Sequence, residues 1–313
     1  YFRTLEGLIQ NATRRVFLDT LSIDDSPITS LMKRRANDGI PTRLKLGSKA
    51  FLRTLVDPLS EKVIKGMRQD SPVQVERSRR YMKWYESWQR TVPFMGIHHG
   101  KSFIVDDTAG LGGMNLDPRY TSMIDFMILT TNPSIVSALE EYFLHSGALR
   151  KDTEIPCDNQ SSLLVDIGRP FCSTIQRRAL DLIDSAEREI VIISQYYPEG
   201  RVHKALHRKA TAGVDVKVVV PYADYDLTHS LNRVMARTSR GFRIHPAYDL
   251  IKLKHYVHAK GLVVDRKHAL AGSHNITAPT NNYLGLTEVA LDTKDEQLVR
   301  GICDFISQSM LLS

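Results

Sequence analysis

Cysteine is scarce in this chain: Cys157, Cys172 and Cys303 are its three copies in 313 residues. They are too few for a disulfide scaffold and lack the clustered spacing of a structural zinc site, which leaves room for one disulfide at most. Tryptophan is rarer, with both copies, Trp84 and Trp88, in one short segment. No apolar run approaches the roughly 18 residues of a membrane-spanning helix, because Lys, Arg, Asp or Glu interrupts every hydrophobic stretch. A transmembrane anchor within these residues is not expected. The chain begins at Tyr1 rather than Met, so a signal or anchor upstream is compatible with it, and a peripheral-membrane, secreted or periplasmic location stays open. Acidic residues are outnumbered, 35 against 42 basic ones, for a net charge of +7. That balance points to an anionic partner without choosing among nucleic acid, an anionic membrane and a phosphorylated small molecule.

What is present is a duplication. Leu5 to Gly47 reads as an amphipathic helix, a strand Val16 to Ile23, a helix near Ile28 to Asn37 and a strand Thr42 to Leu46. The pattern returns at an offset of 174, Leu8 matching Leu182, Val16 matching Ile190 and Gly39 matching Gly213. Later, Asp125-Phe126-Met127-Ile128 and the helix after it mirror Glu288-Val289-Ala290-Leu291 and its helix. A period this long means a doubled lobe. Strands alternating with crossover helices imply an α/β class of two pseudo-symmetric α/β/α sandwich lobes with mixed sheets and an active site at the lobe interface. The lobes are expected at 1–150 and 163–313, joined by a linker at 151–162. Lobe 2 opens on a strand near Leu163 that has no counterpart in lobe 1; the missing strand would lie upstream of Tyr1.

Each lobe carries the same short motif. His99-Gly100-Lys101 leads through Phe103-Ile104-Val105 to Asp106, followed by Gly112-Gly113-Met114-Asn115. His258-Ala259-Lys260 leads through Leu262-Val263-Val264 to Asp265, followed by Gly272-Ser273-His274-Asn275. Residues two apart on a strand share a face, so each His and Lys can enter one pocket while the small residue between them points away. A His-Lys pair on one face suits phosphate. His98 and His274 fall at the wrong parity and are expected to be structural or supporting. A zinc reading has no His-x3-His or Cys pair behind it, and two pocket lysines would repel a metal. No metal and no cofactor are expected.

These paired His-x-Lys-x4-Asp motifs, each with its Gly-x-x-Asn turn, resemble the phospholipase D superfamily over nearly the whole chain. Gln195-Tyr196-Tyr197, the run Gly213 to Pro221 and the Gly-Gly-Met-Asn turn look most like cardiolipin synthases and bacterial phospholipases D. Asn275-Ile276-Thr277-Ala278 departs from the Asn-x-Asp-x-Arg continuation of that group. The resemblance implies a metal-independent phosphodiesterase in which one motif histidine attacks phosphorus and the other protonates the leaving group, with His99 as nucleophile and His258 as acid and base. Lys101, Lys260, Asn115 and Asn275, with Ser273 and the Gly113 turn, would hold the phosphoryl oxygens. Asp125 and Glu288 would each accept from a histidine Nδ1–H and fix its tautomer. Asp106 and Asp265 are assigned to the site without a proton-transfer role, with hydrogen bonding within the lobe that holds the strand end as their main expected task. Phospholipid headgroup hydrolysis or phosphatidyl transfer is favoured, with a metal-independent nuclease as the alternative. With both motifs in one chain, a monomer is expected.

Lobe 1 also has an insertion, at about 51–96, that contains Arg79-Arg80-Tyr81-Met82-Lys83-Trp84-Tyr85-Glu86-Ser87-Trp88-Gln89-Arg90. As a helix it would put Tyr81, Trp84, Tyr85 and Trp88 on one face. That face fits core packing, an anionic membrane surface or single-stranded nucleic acid.

Overall fold

The computed structural model describes residues 2–21, 23–47, 58–77, 98–116, 122–145, 149, 151–169, 172–221, 247–277 and 286–312. Its elements run α1 (Phe2–Gln10), β1 (Val16–Thr20), α2 (Pro27–Asn37), β2 (Thr42–Leu46), α3 (Pro58–Asp70) and β3 (Gln74–Arg77). Then come β4 (Ser102–Val105), β5 (Thr108–Gly112), β6 (Met127–Thr130), α4 (Pro133–His145), β7 (Thr153–Pro156) and β8 (Ser161–Ile167). The remainder is α5 (Thr174–Ser185), β9 (Glu189–Ile193), α6 (Gly200–Thr211), β10 (Asp215–Pro221), β11 (Asp249–Leu253), β12 (Gly261–Val264), β13 (His268–Gly272), β14 (Thr287–Thr293) and α7 (Glu296–Met310).

Two mixed sheets result, ordered β3-β2-β1-β4-β5-β6 and β11-β10-β9-β12-β13-β14-β8-β7. In each, three parallel strands meet an antiparallel run, of three strands in the first sheet and five in the second, across the motif strand, β1 against β4 and β9 against β12. The period-2 alternation explains how each sheet is buried on both faces. Val16 and Leu18 face a core with α1, α2 and α3, while Phe17 faces the opposite way. Ile190 and Ile192 likewise pack toward α5 and α6, and Ile193 toward the other side. Phe17 and Ile193 meet in one shared core, with Leu139 of α4 and Ile302 of α7. The two α/β/α lobes are thus joined through a common apolar interior.

Four expectations need correction. Residues 151–162 are not a bare linker, because β7 and the start of β8 form a hairpin within them, Ile155 pairing with Leu163. The insertion does not begin at Phe51: β3 lies parallel to β2 just as β11 lies parallel to β10, so the part up to Arg77 belongs to the common lobe. The extra length of lobe 1 falls after β3, in a stretch with Trp84 and Trp88 that lies outside the described residues. The first strand ends at Thr20 rather than Ile23, which makes only an isolated bridge to Leu116. Among the described residues β6 has no strand beside it like the β8 that pairs with β14, in line with the expected difference at the start of the lobes.

The fourth correction concerns Asp106 and Asp265, which are not in the site. Each follows its motif strand at the end away from His and Lys, roughly 15 Å along the strand. There Asp106 accepts from the backbone N–H groups of Thr13, Arg14 and Arg15 at 2.8 to 3.0 Å. Asp265 does the same for Glu187, Arg188 and Glu189 at 2.8 to 3.0 Å. Both take a left-handed backbone, φ 51° and 53°, which aspartate tolerates better than most residues. Burial pushes each carboxyl up, but these amide donors outweigh it and hold both below the usual carboxylate range. The stability they contribute is therefore present above the ordinary aspartate range and lost as pH falls through the lower folded value. Asp106→Ala or Asp265→Ala should each cost about 1–3 kcal/mol in denaturant unfolding, with turnover of the folded fraction unchanged. A folded variant that had lost its activity would put these aspartates back in the site.

Candidate active site

Both motif histidines stand at the entry to their strands and are reached by backbone bridges from the opposite lobe. His99 N–H donates to the Thr287 carbonyl at 2.8 Å, and His258 N–H donates to the Ile124 carbonyl at 2.9 Å. Those bridges bring in the carboxylates. His99 Nδ1–H donates to Glu288 of lobe 2 at 2.8 Å, and His258 Nδ1–H donates to Asp125 of lobe 1 at 2.6 Å. Each lobe therefore supplies the carboxylate for the other lobe's histidine. Both carboxylate side chains are wholly buried, while His99 and His258 keep 13% and 6% side-chain exposure. With Nδ1 bearing the proton, Nε2 carries the lone pair that can attack or accept.

Lys101 and Lys260 are buried and fold back so that each ammonium donates to the carbonyl of its own motif histidine, at 2.8 Å for Lys101. Burial drives both ammonium groups down, Lys101 to about 7 and Lys260 to about 8, although Glu288 and Asp125 oppose the shift. Burial, and then Lys260, lower His258 to about 4. Burial also raises Glu288 well above the usual carboxylate range, against the pull of Lys101, Ser273 and Lys260. All of these shifts have burial as their largest cause, and each disfavours the charged form of its group. Asn115 and Asn275 are buried beside the motifs, and neither end of the Asn115 amide, nor Oδ1 of Asn275, has a hydrogen-bond partner among the described residues. Among those residues no cluster of three His, Cys, Asp or Glu side chains could hold a metal ion.

The two turns differ for a steric reason. Ser273 donates to Glu288 at 2.5 Å, whereas a Cβ on Gly113 would lie 2.1 Å from Asp125 Oδ1. Lobe 2 therefore props its carboxylate with a hydroxyl, and lobe 1 leaves the space to the carboxylate itself. Ser273 and Gly113, expected to touch substrate, thus lie against Glu288 and Asp125. The departure at Thr277 also has a local cause: its hydroxyl donates to the Tyr196 carbonyl at 2.7 Å and meets Ser194 Oγ at 2.5 Å, pinning the turn to β9. Sequence reasoning gave Gln195 no site role and missed Tyr256; both border motif 2. Gln195 Nε2 donates to the Tyr256 hydroxyl at 2.6 Å, and the Tyr256 ring stacks on His258 with centroids 6.5 Å apart. His274 is buried away from the motif face, with Nε2 3.3 Å from Ser173 Oγ, and burial lowers it to about 3.

Residues 179–307 match the family model described as cardiolipin synthase, PLD-like domain. That match covers most of lobe 2 and agrees with the resemblance that the paired motifs carry. Among solved structures, phosphatidylserine synthase from Haemophilus influenzae Rd KW20 is similar at a TM-score of 0.74 and 14% identity, covering 98% of this chain and 84% of that one. Polyphosphate kinase from Porphyromonas gingivalis is similar at a TM-score of 0.64 and 15% identity, covering 96% of this chain and 47% of that one. At these identities the likeness is one of fold. No curated protein matches the sequence.

Proposed function

We propose that the protein is a phosphodiesterase that works through a phosphohistidine without a metal ion. Its substrate is a phospholipid, whose headgroup it hydrolyses or whose phosphatidyl group it transfers. One observation carries the reading: two histidines, each pinned through Nδ1 by a buried carboxylate of the opposite lobe, share a pocket with two buried lysines. His99 Nε2 attacks phosphorus, and the P–N bond forms as the bond to the leaving oxygen breaks. His258 protonates that oxygen, then takes the proton from water or an alcohol, whose oxygen displaces His99 from phosphorus. Lys101 and Lys260 neutralise the nonbridging oxygens, and Asn115 can donate to one of them.

For His258 to act as the acid it must gain its proton together with the substrate, since burial and Lys260 hold it neutral down to about 4. A diester anion seated on the lysines offsets what depresses all three groups. Their proton affinities rise on binding, so protons are taken up from solution between about pH 4 and 8. Calorimetric titration of a soluble diester analogue at pH 6.5, in buffers of different ionisation enthalpy, should show net uptake. Zero uptake or release would remove this charge coupling.

Lipid is favoured over nucleic acid by the cardiolipin-synthase description of the matched lobe. The deciding assay incubates the protein in EDTA with phosphatidylglycerol or phosphatidylcholine vesicles and, in parallel, with single-stranded DNA. Headgroup release that persists in EDTA is expected; cleavage of DNA alone would make the protein a nuclease, and activity restored only by a divalent ion would end the metal-free mechanism. Replacing Trp84 and Trp88 by Ala should weaken vesicle binding while a soluble diester is still cleaved.

A further inference from the structure

A buried charged cluster lies beneath motif 1 and has no counterpart beneath motif 2. Asp19, near the end of β1, faces Lys45 on β2 and Ser102 on β4. One of its oxygens meets His98 Nε2, and the other accepts from the Tyr142 hydroxyl of α4 at 2.8 Å. The Lys45 ammonium sits 4.3 Å from the centre of the Tyr142 ring. Asp19, Lys45, His98 and Tyr142 are all buried. In lobe 2 the same register places Ile193 against Val219 and Gly261. Val257, which precedes His258 and bridges to Ile124, stands where His98 precedes His99 and bridges to Thr287. Phe305 occupies the turn of α7 that Tyr142 occupies in α4. Four polar side chains thus replace Ile, Val, Val and Phe at matched places.

The cluster reaches the motif through Gly100. A Cβ there would lie 2.5 Å from Asp19 Oδ2, 3.0 Å from Tyr142 Oη and 3.1 Å from His98 Cε1, whereas the matching residue in lobe 2 is a fully buried alanine, Ala259. The peptide between His99 and Lys101 therefore rests directly on the Asp19 carboxylate and the Tyr142 hydroxyl. A buried ion cluster seldom adds stability over well-packed apolar residues, and lobe 2 shows that this fold accepts the apolar solution. Its retention in one lobe points to a task in the reaction.

We propose that Asp19, His98 and Tyr142 are positioning residues that hold His99-Gly100-Lys101 from below and place a negative charge under Lys101, making the two duplicate motifs inequivalent. The proposal rests on the phosphodiesterase reading for its kinetic readout and on anion binding for a readout independent of it. The charged and titratable groups facing the Asp19 carboxylate and its partners are His98, Lys45, Tyr142 and Lys101, with Glu76 beyond Lys45 and Glu288 beyond Lys101.

The test transplants lobe 2's packing into lobe 1, combining Asp19→Ile, Lys45→Val, His98→Val, Tyr142→Phe and Gly100→Ala. Asp19→Asn alone is the milder variant, should the combination fail to fold. With a soluble diester, kcat should fall on the order of tenfold to a hundredfold while KM changes little. Because Asp19 favours the charged form of Lys101, its removal should move the alkaline limb of the pH profile to lower pH. Inorganic phosphate, titrated at pH 6 and pH 8, should lose more affinity at pH 8 in the variant than in the parent protein. A parent protein that cleaves no diester would sink the phosphodiesterase reading but leave the phosphate titration to decide this one. A folded variant with unchanged kcat, pH profile and phosphate affinity would show the cluster to be packing only and overturn the proposal.

Discussion

His99→Ala and His258→Ala should each abolish turnover, lowering kcat by about 10⁴- to 10⁶-fold on lipid and soluble diester alike, because nucleophile and acid act as one unit. Removing both should cost little more than removing one. Among the described residues neither lobe holds a second histidine on the motif face: His98 is engaged by Asp19, and His274 points toward Ser173. Substantial activity left in either single variant would break the shared-site model. The covalent step separates the partners, since rapid quenching of the parent protein should trap phosphate on His99. An adduct on His258 would reverse the roles and suit the neutral state in which burial and Lys260 keep that ring.

Glu288→Gln and Asp125→Asn should each reduce kcat by about 10²- to 10⁴-fold with KM little changed, since an amide can turn its NH₂ toward Nδ1 and leave the histidine in the wrong tautomer. The pairing across lobes makes this specific. In ¹⁵N spectra, Glu288→Gln should shift the ring nitrogens of His99, whose Nδ1 lies 2.8 Å from Glu288, and leave those of His258 nearly in place. Asp125→Asn should do the converse. Shifts confined to the histidine of the mutated residue's own lobe would contradict the exchange of carboxylates. Gly113→Ala belongs to the same test, because its methyl group would displace the Asp125 carboxylate and should imitate Asp125→Asn.

Much of this was legible from local pattern. The strand Thr42 to Leu46 and the helices beginning near Ile28 and Ile135 follow from apolar periodicity and have the expected bounds to within a few residues. The hairpin of β7 and β8 was not legible: Lys151 to Ser162 is polar and lacks clear alternation, and its order comes from pairing with β14 in the second sheet. The role of β3 was hidden for a similar reason. Four residues, Gln74 to Arg77, carry too little pattern to be told from an insertion until β2 is seen beside them.

By itself the sequence determined the duplication, the two motif strands and the shared face of each His-Lys pair, because a strand's two-residue period is a local property of the backbone. It also marked Asp125 and Glu288 as carboxylates at matched places. Which carboxylate serves which histidine was decided only by the packing of one lobe against the other, for no local rule reaches from His99 to Glu288. The same is true of Asp106 and Asp265, whose hydrogen bonding at the strand end was expected from the sequence but whose distance from the site appeared only when the fold set them against the backbone amides that precede β1 and β9. Contacts distant in sequence carry no periodic signal, so the assignment of these carboxylates belongs to the tertiary structure.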